Sequence, residues 1–181
     1  MNVSPSSIPE VLVLEPRTFE DERGLFCELY NERDLGDRTG AVLHFVQQNH
    51  SHSKANVLRG LHYQIAKPQG KLVRVSGGEI FDVAVDLRQS STSFGRWVSH
   101  VLSAANRRMV WVPPGFAHGF LVTGEYADVE YHATDYWAPE LERCIAWNDP
   151  RLDIAWPLRG PPLLSPRDSG GSAFDQAEAY P

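Results

Sequence analysis

Short runs of β-branched and aromatic residues, separated by glycine and proline, fill most of the chain between residues 11 and 134. Almost none has the periodicity of a helix, and only residues 31–37 suggest a short one. The runs are Val11–Leu14, Leu25–Tyr30, Val42–Asn49, Val57–Gln64, Lys71–Ser76, Glu79–Asp86, Trp97–Leu102, Arg108–Val112, Gly119–Val122 and Ala127–Thr134. Gly77-Gly78 predicts a hairpin, and Gly124-Glu125 predicts another turn. Many short strands with such punctuation indicate an all-β sandwich or barrel.

The overall composition is ordinary for a globular protein and argues against several classes of function. The chain has 181 residues, 42% of them hydrophobic and 22% charged, which suits one domain with a substantial core. Its net charge of −6 argues against a nucleic-acid-binding surface. No apolar run approaches the roughly 18 residues of a membrane span. Two cysteines form no disulfide framework, and residues 1–9 lack the pattern of a secretory signal, so we expect a cytoplasmic protein.

The segment Val57–Gln64 is an apolar, strand-like stretch that carries an arginine and a histidine. Strict alternation would send Arg59 and His62 to opposite faces of the strand. Gly60 lies between them, and a β-bulge at this glycine would bring both side chains to one face. An anion-binding arginine beside a titratable imidazole inside a barrel would then form an active site. The alternative is a solvent-facing arginine and a hydrogen-bonded core histidine, and the segment alone leaves both open.

Regular strand patterns end near residue 137, and the chain beyond it is rich in proline and tryptophan. We therefore predict one domain with a barrel core at about residues 40–137 and a packed, irregular C-terminal arm at about 138–168. A weakly ordered tail is expected at residues 169–181. Short helices would lie at the periphery of the barrel.

Eight groups of residues, taken in order, resemble the dTDP-4-dehydrorhamnose 3,5-epimerase family. The groups are Arg23–Phe26 with Glu28, Gln47–Asn49, Val57–Gln64, Gln69–Val75, Pro113–Phe120, Tyr131–Trp137 with Glu142, Trp147–Pro150, and Leu164-Ser165 with Asp168. One group alone would be a weak signal, but together they extend over about 150 residues. The resemblance implies a cupin-type jelly-roll barrel, a homodimer with an exchanged N-terminal strand, and epimerisation without a cofactor.

Inverting a carbon next to a ketone requires a base, a group that stabilises the enolate oxygen, and an acid on the opposite face. The resemblance implies that His62 is the base and that Asp168 orients it. It further implies that Lys71 stabilises the C4 enolate oxygen and that Tyr131 is the acid. Each residue also has an ordinary alternative, since Lys71 could be a solvated strand end, Asp168 a surface carboxylate, and Tyr131 a core aromatic.

The implied substrate is a dTDP-linked 4-keto-6-deoxysugar, whose diphosphate needs cationic partners. Arg23 and Arg59 are candidates because guanidinium groups match phosphate oxygens, and Trp137 would stack on the thymine. The resemblance implies further substrate contacts from Glu28, Gln47, Gln48, Asn49, His118, Glu142 and Arg167. Ordinary surface charge would also explain the arginines, and a core position would explain Trp137.

Four positions depart from the residues common in the family. They are Gln48 in place of an acidic residue, His132 in place of lysine, Cys144 in place of glycine, and Arg167 in place of lysine. None of these changes removes a catalytic residue type. They leave open whether C3 and C5 are both inverted or only one of them.

Many cupins bind a metal ion, so the histidines need separate consideration. Pro113-x-Gly115-x-x-His118 resembles the second cupin motif, but His62-Tyr63-Gln64 lacks the second histidine and the carboxylate of the first. We therefore predict no catalytic metal, with His44, His50 and His52 at most an adventitious site. The rival hypotheses are a single-carbon epimerase, a non-catalytic sugar-nucleotide-binding cupin and a metal-dependent cupin enzyme.

Overall fold

The computed structural model describes residues 1–39 and 43–181, and strands dominate these ranges. The strands are β1 (Asn2–Pro5), β2 (Leu12–Glu15), β3 (Thr18–Asp21), β4 (Gly24–Cys27), β5 (Gln47–Lys54), β6 (Leu58–Gln64), β7 (Lys71–Asp86), β8 (Trp97–Ser103), β9 (Met109–Val112), β10 (Phe116–Ala133) and β11 (Glu142–Cys144). The helices are α1 (Glu32–Thr39) and α2 (Pro166–Ser169), with 3-10 turns at Pro139–Leu141 and Phe174–Gln176. No helix in the described ranges is long and apolar enough to cross a membrane.

The two longest strands, β7 and β10, pair antiparallel and organise the main sheet. The first part of β7 pairs with β9 and its second part with β8. In the same way, β10 pairs first with β6 and then with β5. The main path runs β1-β2-β9-β7-β10-β6-β11. Because both long strands change partners halfway, the sheet forms two layers, and β1 and β2 extend it beyond the predicted core of residues 40–137.

The hairpin predicted at Gly77-Gly78 and the turn predicted at Gly124-Glu125 are wrong, because one continuous strand passes through each position. The pairing register of β7 with β10 shifts at this point. Gly78 has a φ of 73°, and a Cβ there would lie 1.8 Å from the carbonyl oxygen of Tyr126. The glycines therefore mark irregularities in paired long strands and not chain reversals.

Three apolar clusters hold the layers together. The first contains buried residues of both layers, among them Val73, Val110 and Val129 from one and Ile80, Leu102 and Phe120 from the other. The second joins outward-facing residues of β6, β7 and β10 to the C-terminal arm through Ile145, Leu152 and Trp156. The third joins Leu14, Leu72 and Met109 to Leu35 of α1. The barrel interior thus lies between two covered outer faces.

The C-terminal tail packs against the barrel, contrary to the prediction of weak order. Phe174 is 5% exposed and belongs to the second cluster. The backbone N–H of Tyr180 donates to the carbonyl of Leu87 (2.9 Å), and its hydroxyl donates to the carbonyl of Gln64 (2.6 Å). Small and polar residues dominate the tail sequence and conceal these two aromatic anchors. The strand predicted at residues 42–49 begins at Gln47, and Val42 lies outside the described residues.

Candidate active site

A bulge in β6 brings Arg59 and His62 to the same face, as the glycine between them predicted. Arg59 lies opposite Phe120 of β10, and His62 lies opposite His118, so three steps along β6 match two steps along β10. Gly60 has a φ of 108°, and a Cβ there would lie 2.6 Å from the carbonyl oxygen of His118. Only glycine fits this close approach without strain. Both polar side chains therefore face the same side as Phe120, which lies in the core between the layers.

A cavity of about 260 Å³ opens beside His62, between β5, β6, β7, β10 and β11. Its walls combine three predicted catalytic residues with amides, a carboxylate and aromatic rings. The lining residues are Gln47, Asn49, His62, Tyr63, Gln64, Gln69, Lys71, Tyr131, Trp137 and Glu142. Predicted residues from five separate parts of the sequence thus meet in one pocket.

Asp168 lies directly beside His62, although the two are far apart in the sequence. Its Oδ1 is 2.7 Å from Nε2 of His62, but the contact falls short of linear hydrogen-bond geometry. The same oxygen accepts from the N–H of Gly60 (3.0 Å), and Oδ2 accepts from the hydroxyl of Ser165 (2.6 Å). Burial raises the pKa of Asp168, but the contacts with His62, Ser165 and Gly60 outweigh it and hold that pKa well below its usual range. The carboxylate is therefore charged at neutral pH.

A short helix places this carboxylate. Ser165 caps α2, and its hydroxyl accepts from the backbone N–H of Asp168 (3.1 Å). Pro166 occupies the first helical turn, where proline loses no hydrogen bond. The side chain of Asp168 is only 3% exposed, so the alternative of a surface carboxylate does not hold.

Lys71 and Tyr131 lie side by side in the pocket. The ammonium of Lys71 is 5.8 Å from the centroid of the Tyr131 ring. Desolvation lowers the pKa of Lys71 to about 8, although Glu142 and Asp82 act to raise it. Burial and Glu142 raise the pKa of Tyr131, and Arg59 opposes them. At neutral pH the site therefore presents a largely cationic amine next to a protonated phenol.

The amide residues of β5 divide between the two faces of the strand. Gln47 and Asn49 line the pocket, and the side-chain amide of Gln47 donates to Oδ1 of Asn49 (3.0 Å). Gln48, predicted to contact substrate, is exposed on the opposite face. Arg59 donates to the hydroxyl of Ser53 (3.0 Å) and does not line the cavity itself.

His118 was also predicted to contact substrate, but the fold encloses it. Its side chain is 7% exposed, and Nε2 lies 2.7 Å from Oδ2 of Asp82, which is 1% exposed. The pair is next to His62 across β6 and β10 but is absent from the cavity wall. No sequence motif had singled out Asp82.

Trp137, Glu142 and Arg167 form a connected group at the pocket. The indole N–H of Trp137 donates to Oε2 of Glu142 (2.9 Å), and the guanidinium of Arg167 donates to the same oxygen. Trp137 is 53% exposed, so it is not the core tryptophan of the alternative interpretation. Its ring is available for stacking.

Arg23 and Glu28 lie away from the pocket. Arg23 belongs to the β3–β4 hairpin, a separate two-stranded sheet, and its exposed guanidinium pairs with Asp21. Glu28 accepts from the side-chain amide of Asn31 (3.3 Å). Within one chain, neither residue reaches the cavity wall.

Several site residues were not foreseen from the sequence. Tyr63, Gln64 and Gln69 line the cavity, and the amides could have been suspected because they flank His62 and Lys71 in the sequence. The capping role of Ser165 could have been predicted, because a serine followed three residues later by an acidic residue is typical of a helix N-terminus. Among the described residues, one group of His, Cys, Asp or Glu brings three possible ligand atoms within 4.8 Å of one another, namely His62, Cys144 and Asp168.

Comparison with known proteins identifies the family. A family model described as dTDP-4-dehydrorhamnose 3,5-epimerase matches residues 5–176. The chain belongs to this family. It is therefore a carbohydrate epimerase, an enzyme of the isomerase class.

Individual relatives match over nearly the whole chain. A dTDP-4-dehydrorhamnose 3,5-epimerase of Pseudomonas aeruginosa is 56% identical over 181 residues, covering 100% of both chains. That of Salmonella typhimurium is 51% identical over 178 residues, covering 98% of this chain and 97% of its own. The Legionella pneumophila enzyme RmlC, solved with dTDP-4-keto-L-rhamnose, has a TM-score of 0.95 at 45% identity and covers 98% and 94% of the chains. The similarity to RmlC confirms the predicted cupin-type jelly roll.

A functionally different neighbour has the same fold. ChmJ of Streptomyces bikiniensis, a 3'-monoepimerase solved with dTDP-quinovose, has a TM-score of 0.90 at 32% identity. The alignment covers 95% of this chain and 87% of ChmJ. The fold alone therefore does not fix the number of carbons inverted.

Proposed function

We propose that this enzyme converts dTDP-4-dehydro-6-deoxy-D-glucose to dTDP-4-dehydro-L-rhamnose by inverting C3 and C5, without a cofactor. The observation that carries the proposal is the meeting of His62 with Asp168, Lys71 and Tyr131 around one cavity. Together they supply the base, the enolate stabiliser and the acid that the reaction requires. Such a product would enter cytoplasmic deoxysugar synthesis.

The first half of each inversion is removal of a proton next to the C4 ketone. His62 takes this proton, and the Asp168 carboxylate orients its ring and stabilises the imidazolium that forms. The electron pair of the broken C–H bond moves onto the C4 oxygen. Lys71 stabilises the resulting enolate, because a fixed cation in a desolvated site interacts strongly with developing negative charge.

The second half returns a proton to the opposite face of the same carbon. Tyr131 donates it, and its raised pKa keeps the phenol protonated at neutral pH. The enolate electron pair forms the new C–H bond and the C4 ketone is restored. Tyr131 is on β10 and His62 is on β6, so the two groups reach the cavity from different strands.

The departures from the family pattern lie mostly outside the cavity. Gln48 and His132 are cross-strand partners. Each is adjacent in sequence to a residue that lines the pocket. Because neighbouring side chains of a strand point to opposite faces, both are on the outer face. His132 stacks there with Tyr30 at 6.3 Å between ring centroids. Arg167 approaches the pocket through Glu142. The 56% identity to a 3,5-epimerase over the full chain, against 32% to the 3'-monoepimerase, favours double inversion.

We further propose that the enzyme is a homodimer in which Arg23 serves the nucleotide site of the partner subunit. The β3–β4 hairpin presents three exposed apolar side chains, Phe19, Leu25 and Phe26, with exposures of 51%, 50% and 69%. A hairpin with this surface is expected to pack on another copy. If Arg23 acts across subunits, mixing the inactive variants Arg23→Ala and His62→Asn will restore activity, whereas failure to complement would contradict the shared site.

The direct test is to incubate the enzyme with dTDP-4-dehydro-6-deoxy-D-glucose and determine the configuration of the product by NMR. We expect inversion at both C3 and C5. Inversion at one carbon would establish the single-carbon alternative. Unchanged substrate with tight dTDP binding would instead establish a sugar-nucleotide-binding protein and overturn the proposal.

A further inference from the structure

Cys144 lies opposite the base His62 in the pairing of β11 with β6. One ligand atom from each of Cys144, His62 and Asp168 lies within 4.8 Å of the other two. The thiol thus lies beside the imidazole and the carboxylate of the site. It needs an explanation that the epimerisation mechanism does not supply.

The three donors are of the types that zinc prefers. Thiolate sulfur, imidazole nitrogen and carboxylate oxygen bind Zn²⁺ at about 2.0–2.3 Å, so neighbouring ligands of a tetrahedral ion are about 3.3–3.8 Å apart. The three donor atoms lie within 4.8 Å of one another, and the 2.7 Å between Nε2 of His62 and Oδ1 of Asp168 would have to widen to admit the ion. With three protein ligands, the fourth position would be taken by water.

Acidic groups near the thiol favour a cation. Asp168 is itself one of the three donors, and Glu142 precedes Cys144 by two residues on β11. Binding of an ion would displace the thiol proton, as metal binding to cysteine generally does.

The carboxylate ligand already has the outer hydrogen bonds that orient metal ligands. The hydroxyl of Ser165 donates to one oxygen of Asp168 (2.6 Å), and the N–H of Gly60 donates to the other (3.0 Å). Such outer contacts fix ligand orientation and increase metal affinity. The site is thus partly organised before any ion arrives.

We propose that a divalent cation of the Zn²⁺ type binds Cys144, His62 and Asp168 and reversibly inhibits the enzyme. Bound to the ion, the His62 ring loses its carboxylate partner and can no longer take up a substrate proton. The proposed metal site depends only on the positions of the three ligands. The proposed inhibition depends, in addition, on the proposed function of His62.

Cobalt provides a direct readout of binding, because Co²⁺ bound to a thiolate gives a near-ultraviolet charge-transfer absorption. We expect this band in the purified wild-type protein on titration with Co²⁺, and competition by Zn²⁺ should remove it. Cys144→Ala and Cys144→Ser should lose the band and weaken Zn²⁺ binding at least about 10–100-fold, the loss typical even for an outer partner of a metal site. Neither readout requires substrate.

The other cysteine and the surface histidines provide matched controls. Cys27→Ala should keep both the band and the affinity, since Cys27 and Cys144 are the two cysteines of the chain. His52→Ala tests the exposed cluster in which His52 and His50 approach Asp128. A band that persists in Cys144→Ala, or Zn²⁺ binding that disappears in His52→Ala, would overturn the proposal.

Activity then tests the inhibitory consequence. Zn²⁺ should stop substrate proton exchange by the wild type, and a chelator should restore it. Cys144→Ala should retain basal exchange and resist Zn²⁺ at concentrations that inhibit Cys27→Ala. Equal inhibition of both variants would contradict the role of Cys144. A protein that shows the cobalt band but no epimerisation would refute the proposed function and leave the metal site standing.

Discussion

Two neighbouring histidines, His62 of β6 and His118 of β10, each lie beside a carboxylate. Only the pair of His62 with Asp168 faces the pocket, whereas the pair of His118 with Asp82 is enclosed. In both, a ring nitrogen lies 2.7 Å from a carboxylate oxygen. The His62 side chain is 26% exposed and lines the cavity, whereas the His118 side chain is 7% exposed and does not. Pairing with a carboxylate is therefore common to both, and access to the cavity separates them.

The enclosed pair still affects the site electrostatically. Asp82 is one of the two carboxylates that raise the pKa of Lys71 against desolvation. Asp82 is not among the residues that line the cavity, so its charge would favour the ammonium without contacting substrate. We infer that Asp168 acts on the base and Asp82 on the cation.

The largest difference between the pairs should appear when each loses its carboxylate charge. We expect Asp168→Asn to reduce substrate proton exchange by about 10²–10⁴-fold, the range of general base catalysis, because the imidazolium loses its stabilising partner. Asp82→Asn should reduce exchange of the folded protein by less than about tenfold. Exchange rates measured by NMR in D₂O will decide, and equal losses in the two variants would contradict the division of roles.

The enclosed pair should contribute more to stability than a comparable pair on the surface. Asp82→Asn should lower the free energy of unfolding by about 1–3 kcal/mol, because the buried imidazole exchanges a charged carboxylate acceptor for a neutral amide. Asp128→Asn is a matched control, since Asp128 pairs with His52 at 2.7 Å on the surface, where such a pair contributes about 0–1 kcal/mol. Urea denaturation of both variants measures the difference. Equal destabilisation would show that the enclosed pair contributes no more to stability than the surface pair.

The smallest effect concerns the pH dependence of the rate. Lys71 is a cation below its pKa of about 8 and neutral above it, so the rate should fall as the pH rises through that value. Because Asp82 raises the pKa of Lys71, Asp82→Asn should move this fall to lower pH. Rates measured across the alkaline range test the shift. If the pH dependence of the rate is the same in Asp82→Asn as in the wild type, Asp82 does not affect the pKa of Lys71.

Much of the fold could be predicted from local sequence patterns. The apolar runs of β2, β6, β8 and β9, the short helix α1 and the bulge at Gly60 all appear where the patterns indicated. Gly77-Gly78 misled because a glycine pair is equally compatible with a reversal and with an irregularity in a long strand. Tertiary pairing with β10 decided between them, and that pairing is not encoded locally.

The site was foreseen unevenly, for physical reasons. His62, Lys71 and Tyr131 meet because their strands are neighbours in the barrel, and the motif resemblance had grouped them. The burial of His118 depends on its contact with Asp82 inside the barrel, which no local pattern records. The hairpin that carries Arg23 folds apart from the pocket, so the proposed role of Arg23 would require a second chain.

The most direct test of the account is deuterium exchange in D₂O at C3 and C5 of dTDP-4-dehydro-6-deoxy-D-glucose, measured by NMR for His62→Asn and His118→Asn in parallel. We expect His62→Asn to lose about 10²–10⁴-fold in exchange at both carbons while dTDP still binds. His118→Asn, where it folds, should keep most of the wild-type exchange rate. Exchange near the wild-type rate in His62→Asn would contradict the assignment of His62 as the base.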